Sequence, residues 1–114
     1  MNIKELRGKV EKCWSKSTSF VSGSEGSRGQ CYVTALLVRT LYGGKVYHGH
    51  IKFNDINEHH FWNEVDGVLI DLTSDQYGGD GLTPVIFGQE YTKPLNFKNK
   101  RYLKLLEKYN ALDK

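Results

Sequence analysis

The dipeptide Asp66-Gly67 lies between two short runs rich in β-forming residues, and no other feature constrains the fold of this chain as strongly. Asp-Gly between such runs is typical of a two-residue hairpin turn. The sequence therefore predicts two antiparallel strands, residues 59–65 and 68–73, joined by this turn.

The register of this hairpin decides which side chains share a face. A two-residue turn places Trp62 opposite Asp71 and His60 opposite Thr73, so that His60 and Asp71 become diagonal neighbours on one face. The adjacent His59 then points to the other face, unless a bulge interrupts the strand. The first face is predicted to carry His60, Trp62, Glu64, Leu69, Asp71 and Thr73, and the second, more apolar face to carry Phe61, Asn63, Val65, Val68, Ile70 and Leu72.

Residues 30–42 are apolar on nearly every side and predict a central, buried helix. A Ser/Gly-rich loop over residues 15–29 precedes it, and Gly43-Gly44 is expected to end it. Ser27 and Gln30 match the capping-box pattern. Cys31 falls in the first turn, where the positive end of the helix dipole favours the nucleophilic thiolate.

The remaining segments predict a helix over residues 2–15, a strand over 45–53, a turn over 54–57 and a glycine-rich loop over 78–81. A short strand over 84–87 and a last helix from the cap Asn99 to residue 109 complete the pattern. Cys13 falls on the apolar stripe of the first helix and is interpreted as a buried structural thiol. We expect one α+β domain over residues 1–114, with a cysteine-bearing helix packed on a small antiparallel sheet and helices at both ends.

Composition limits the possible environments and partners. The chain has 114 residues, 39% of them hydrophobic, and a net charge of +3, with basic ends and an acidic middle. No nucleic-acid recognition motif, signal peptide or membrane-length apolar run is present, so we expect a cytoplasmic protein with neither nucleic-acid nor membrane partners. In that compartment Cys13 and Cys31 should stay unpaired. Nothing in the sequence indicates the oligomeric state or a cofactor.

Cys31, His60 and Asp71 together suggest acyl-transfer chemistry. Asp71 would orient His60 and stabilise its charged form, and His60 would take the proton of Cys31 and later protonate a leaving group. The backbone N–H of Cys31 could donate to an oxyanion. The expected substrate is a peptide, or another amide or ester.

Gly29-Gln30-Cys31-Tyr32-Val33-Thr34-Ala35 resembles the element around the nucleophile of transglutaminases, and also the cysteine helix of papain-like proteases. His60-Phe61-Trp62 and Ile70-Asp71-Leu72-Thr73 resemble the strands that carry the other two members of the transglutaminase triad. The resemblance implies a transglutaminase-like or papain-like core in which Cys31 is the nucleophile, His60 the base and Asp71 the orienting carboxylate. Gln30 becomes a candidate oxyanion or substrate-binding residue, and Trp62 either packs beside the site or stacks on substrate. Tyr32 departs from the tryptophan of the motif, and the spacing is compact.

From the cysteine helix to the terminal helix, the chain also resembles the YunG-like family of small bacterial proteins, which implies a fold but no activity. Two other interpretations stay open. One is a non-catalytic binding module on the same fold. The other is a metal site formed by His48, His50, His59 and His60 with Cys31, although the chain has no Cys-x-x-Cys or His-Glu-x-x-His motif.

Overall fold

The computed structural model describes residues 1–21 and 26–112, and the α+β class is confirmed there. The strands of this part form an antiparallel sheet in the order β3-β2-β1-β4. In chain order the elements are α1 (Ile3–Glu11), α2 (Cys31–Tyr42), β1 (Lys45–Phe53), β2 (Ile56–Val65), β3 (Val68–Ile70), a 3₁₀ helix (Ser74–Tyr77), β4 (Gln89–Glu90) and α3 (Lys100–Asn110).

The predicted hairpin between β2 and β3 forms with the predicted register. Val65 pairs with Val68 across the turn, and Asn63 pairs with Ile70. Asp66 and Gly67 adopt φ values of 51° and 79°, which a two-residue turn of this twist requires. The hairpin therefore places His60 and Asp71 on the same side of β2.

The second strand of the hairpin is shorter than predicted, because β3 ends at Ile70 and not at Thr73. The N–H of Asp71 donates to the carbonyl of Leu82 at 2.9 Å, and its carboxylate accepts from the N–H of Thr73 at 3.0 Å. These bonds turn the chain away from β2. As a result, β2 has no β3 partner beyond Asn63.

Helix α2 is the buried centre of the fold, as predicted, and the side chains of Val33, Leu36, Leu37 and Val38 are fully buried. The predicted capping box is wrong. The N-cap is Gln30, without a side-chain cap bond, because its amide turns back into the preceding loop. At the other end the helix stops at Gly43, as predicted. Gly44 follows at φ 77°, and a Cβ there would strike the backbone of Glu64.

Four further elements differ from the sequence predictions, and the first is β2, which begins at Ile56, inside the turn expected over 54–57, and not at residue 59. Helix α1 ends at Glu11 and not at residue 15. The strand expected over 84–87 does not form, and the short β4 at Gln89–Glu90 pairs with β1 in its place. The chain reaches β4 through Gly88, which crosses close over Trp62 and the backbone of His48. The 3₁₀ helix was not predicted from the sequence.

The terminal helices close the core around α2. Leu6 and Val10 of α1 and Tyr102 and Leu105 of α3 are buried there, together with Cys13, whose thiol lies 3.5 Å from the carbonyl oxygen of Lys9. Cys13 and Cys31 are both free thiols. No helix in the described part of the chain is long and apolar enough to cross a membrane.

Candidate active site

Cys31 is the first residue of α2 and is partly exposed. The N–H groups in the first turn of a helix have no intrahelical partners, and no side chain caps this helix start. These donors and the helix dipole together create a positive environment around the thiol. Such an environment can stabilise a negative charge on a group bound at the start of the helix.

His60 and Asp71 form a buried ion pair. Nε2 of His60 lies 2.6 Å from Oδ2 of Asp71, and the two side chains are 0% and 1% exposed. The other carboxylate oxygen, Oδ1, accepts hydrogen bonds from the backbone N–H of Thr73 at 3.0 Å and from its hydroxyl at 3.2 Å. The Asp-x-Thr sequence thus holds the carboxylate, and the carboxylate holds the imidazole.

The charged form of His60 is stabilised despite its burial. Burial alone lowers the pKa of His60, but hydrogen bonding to Asp71 and Cys31, together with their negative charges, outweighs this effect and raises the pKa to about 9. Since Asp71 occupies Nε2, the nitrogen available to Cys31 is Nδ1. This atom is buried and has no hydrogen-bond partner among the described residues.

Contacts between the loop before Cys31 and the 3₁₀ helix bring Cys31 to the edge of β2. The backbone N–H of Gly29 donates to Oε1 of Gln76 at 3.4 Å. Arg28 forms an ion pair with Glu58 of β2, and the Tyr77 hydroxyl donates to the same carboxylate at 2.6 Å. The loop, the 3₁₀ helix and β2 are therefore tied together at one carboxylate.

Tyr77 also covers the imidazole of His60. Its ring meets that of His60 edge to face, at 4.7 Å between centroids and an interplanar angle of 81°. Burial, the hydrogen bond to Glu58 and the charge of Cys31 all raise the pKa of Tyr77, so its hydroxyl stays protonated and acts as a donor.

At Glu58, burial favours the neutral carboxyl, but hydrogen bonds from Tyr77 and Arg28 outweigh it and lower the pKa. Arg28, Glu58 and Tyr77 were not predicted from the sequence. The position of Glu58 two residues before His60, on the same strand face, was the available signal.

A cavity of about 340 Å³ opens beside Cys31. Its wall is largely aromatic, and neighbouring rings touch: Tyr32 meets Phe61 at 4.9 Å and Phe20 at 6.1 Å between centroids. His59 lines this cavity, whereas the buried His60 lies behind it. The lining residues are Phe20, Val21, Gly29, Cys31, Tyr32, Glu58, His59, Phe61, Asn96 and Asn99.

Trp62 packs behind the imidazole, which is the first of the two roles predicted for it. It is 2% exposed, and its ring lies 5.7 Å from that of His60 at an angle of 30°. Gly49 and Gly88 pass directly over it, since a Cβ at either position would press on the indole. Trp62 therefore supports His60 from the core.

Gln30 is also buried, and its amide is bonded within the loop. Its Oε1 accepts from the Thr18 hydroxyl at 2.7 Å, and its Nε2 donates to the carbonyl of Ser15 at 3.1 Å. These bonds shape the loop that leads to Cys31. A direct oxyanion role for this side chain stays a prediction, and the backbone at the start of α2 is the more accessible donor.

The other histidines lie on the opposite face from His60. Nδ1 of His48 lies 2.6 Å from Nε2 of His59, while His50 bonds to Asn57. Within residues 1–21 and 26–112, no three His, Cys, Asp or Glu side chains converge to hold a metal ion.

Fold and site together define a small α+β protein in which a cysteine at a helix start faces a buried histidine–aspartate pair. A family model described as YunG protein matches residues 2–113, so the chain belongs to the YunG family. It is 33% identical over 69 residues to the uncharacterized protein YunG of Bacillus subtilis (strain 168), a match covering 60% of this chain and 56% of that relative. No solved structure shows a significant match.

Proposed function

We propose that this protein is a thiol-dependent acyl-transfer or hydrolytic enzyme that acts on an amide or ester through Cys31, His60 and Asp71. The observation that carries the proposal is the buried His60–Asp71 pair at 2.6 Å, in which the second imidazole nitrogen, Nδ1, has no hydrogen-bond partner among the described residues and Cys31 helps to raise the pKa of His60. Buried charged groups destabilise a fold unless they are paired. A buried pair that also meets a partly exposed thiol beside a cavity is well suited to nucleophilic catalysis.

In the proposed reaction, the proton of Cys31 already resides on Nδ1 of His60, as the raised pKa of this imidazole favours, and the thiolate attacks the substrate carbonyl carbon. The carbonyl oxygen becomes an oxyanion held by N–H groups at the start of α2. The carbon–nitrogen or carbon–oxygen bond then breaks, and His60 returns the proton to the departing amine or alcohol. Water or a second amine, deprotonated by His60, attacks the thioester and restores the thiol.

The finer fold assignment belongs to the same proposal. We propose a transglutaminase-like or papain-like core, supported by the order of Cys31, His60 and Asp71 along the chain. The placement of the cysteine at the start of a buried helix, of His60 on β2 and of Asp71 directly after β3 also supports it. These features concern about a quarter of the chain.

The test is the rate of Cys31 alkylation by iodoacetamide as a function of pH, resolved by mass spectrometry. Cys13 is the internal control, because it is 1% exposed and burial raises its pKa. We expect Cys31 to react well below pH 7. The variants His60→Ala and Asp71→Asn should move its profile toward that of an ordinary thiol, near pH ~8.5. His59→Ala, on the opposite face, should leave the midpoint in place.

A Cys31 profile that follows an ordinary thiol and ignores all three substitutions would contradict the proposal. The protein would then be a binding module that uses the same cavity. A profile of the expected shape would lead directly to a screen of amide and ester substrates, with Cys31→Ser as the inactive control.

A further inference from the structure

In the part of the chain that the structure describes, the backbone of β2 has an unpaired edge beside Cys31. Val65 and Val68 flank a two-residue turn and therefore exchange both backbone hydrogen bonds. The bonding direction alternates along an antiparallel strand, so that the backbone groups of Phe61 and His59 point to the same side as those of Val65. On this side β2 pairs with β3 only as far as Asn63, because β3 ends at Ile70.

Two other contacts agree with this direction. Phe53 and Ile56 flank the turn between β1 and β2, so every second residue from Ile56, including His60, directs its backbone groups toward β1. The N–H of Asp71 bonds outward to Leu82, as expected for the residue after Ile70. His59 and Phe61 thus face away from β1.

The free edge and the nucleophile border the same cavity. Within residues 1–21 and 26–112, no backbone group bonds to His59 or Phe61 from the open side. Both residues line the cavity opposite Gly29 and Cys31. A chain that entered this cavity would meet unpaired strand donors and acceptors on one wall and the thiol on the other.

We propose that the substrate is an extended polypeptide segment, which adds to the edge of β2 at His59 and Phe61 and thereby presents a backbone carbonyl to Cys31. This inference rests on the proposed function and names its substrate class. Main-chain hydrogen bonds to an open sheet edge are a common way to bind extended peptides. The aromatic wall formed by Phe20, Tyr32 and Phe61 provides apolar contact for the side chains of the added strand.

The experiment compares peptidyl electrophiles that differ only in the position of one methyl group. The probe is acetyl-Ala-Ala-Ala-Phe chloromethyl ketone, in which the Cys31 sulfur displaces chloride to form a thioether. Four isomers each carry one N-methyl group on a different amide. The rate at which each isomer labels Cys31 is divided by the rate at which iodoacetamide alkylates Cys31 in the same protein. This ratio removes differences in the intrinsic reactivity of the thiol.

Strand addition predicts an alternating pattern. Methyl groups on amides that face β2 should lower the normalised rate about three- to tenfold, which is the effect of losing one hydrogen bond. Methyl groups on the amides between them should have a smaller effect. Purely apolar binding, or steric obstruction, would not give this period of two.

A pair of variants tests the same edge from the protein side. His59→Pro removes a single N–H that points to the free edge and not into the ladder with β1, a position where a strand tolerates proline. His59→Ala also loses the imidazole but keeps the N–H. The ratio of the labelling rates of the unmethylated and methylated peptides should be smaller in His59→Pro than in His59→Ala. Circular dichroism confirms that both variants are folded.

The outcomes separate this inference from the proposed function. Equal rates for all four isomers would overturn strand addition, whatever the iodoacetamide profile shows. An alternating pattern on a Cys31 with ordinary pH dependence would keep strand addition and reject catalysis. If His59→Pro does not fold, the isomer series alone still decides the question.

Discussion

His59 and His60 are adjacent in β2, yet the His59 side chain lies exposed against His48 while that of His60 is buried against Asp71. The pKa values of the two imidazoles are shifted in opposite directions from the usual value of histidine. The pKa of His60 is raised to about 9. The pKa of His59 is lowered, first because neighbouring groups keep part of the water away from its ring and then by the charges of His48 and His50. Two neighbouring imidazoles thus differ in charge at neutral pH because of the strand face that each occupies.

This difference can be measured by NMR titration of the imidazole Cε1 protons. We expect one resonance that titrates near pH 9 and disappears in His60→Gln, and another that titrates below the usual value of about 6.5 and disappears in His59→Gln. Asp71→Asn should lower the titration point of His60 and leave that of His59 in place. Titration of both rings near pH 6.5 would contradict the buried ion pair.

The raised pKa of His60 also predicts a pH-dependent stability. The pKa of His60 is about 9 in the folded protein and near 6.5 in the unfolded chain, so the protonated imidazole stabilises the fold. This contribution is complete below about pH 6.5 and is lost as the pH rises through about 9. The free energy of unfolding should therefore fall between these values, by about 3 kcal/mol at most. Urea unfolding from pH 6 to pH 9 measures this fall, and the slope should be reduced in His60→Gln. A parent protein whose stability stays constant over this range would disprove the linkage.

The hydrogen bond from Tyr77 to Glu58 should contribute measurably to stability. Tyr77→Phe keeps the ring against His60 but removes the donor to a partly buried carboxylate, and we expect a loss of about 1–3 kcal/mol. Tyr47→Phe is the matched control. Its hydroxyl also donates to a glutamate, Glu64, at 2.9 Å, but Tyr47 is only partly buried whereas Tyr77 is 3% exposed, so the effect should be smaller. Chemical unfolding of both variants provides the comparison, and equal losses would show that Glu58 is not a special anchor.

Two glycine substitutions should have opposite effects on stability. A Cβ at Gly88 would lie 2.6 Å from Cζ2 of Trp62 and still closer to the backbone of His48, so Gly88→Ala should destabilise the fold by about 1–3 kcal/mol. Gly8 lies inside α1 with nothing within 4 Å of its Cβ position, and Gly8→Ala should stabilise the protein by about 0.5–1 kcal/mol. Thermal unfolding of the two variants checks both signs. A neutral Gly88→Ala would show that the segment over Trp62 is free to move aside.

The parts of the fold that follow from local sequence were predictable. Strand β1 has the predicted bounds, and the hairpin at Asp66-Gly67 has the predicted register, because alternation and turn chemistry involve residues close in the chain. The same local rules placed His60 and not His59 beside Asp71. The catalytic roles of these residues and of Cys31 remain predictions.

The parts that depend on distant contacts were not predictable in the same way. Ser27 and Gln30 match a helix cap, but Gln30 bonds to Ser15 and Thr18, and this competition is not visible in the motif. The contact of Tyr77 with Glu58 joins positions 19 residues apart, and that of Arg28 with Glu58 joins positions 30 apart. Neither pair has a local pattern that a sequence rule could detect.

The turn at Asp66-Gly67 has a consequence beyond the sheet. Its length selects which of two consecutive histidines meets the carboxylate, because a shift of the hairpin by one residue moves each side chain to the opposite face. We expect one glycine inserted at the turn to shift β3 by one residue against β2, which would move the Asp71 side chain toward the face that His59 occupies. In this chain the number of residues in a turn, at a distance from either histidine, thus decides which imidazole pairs with Asp71.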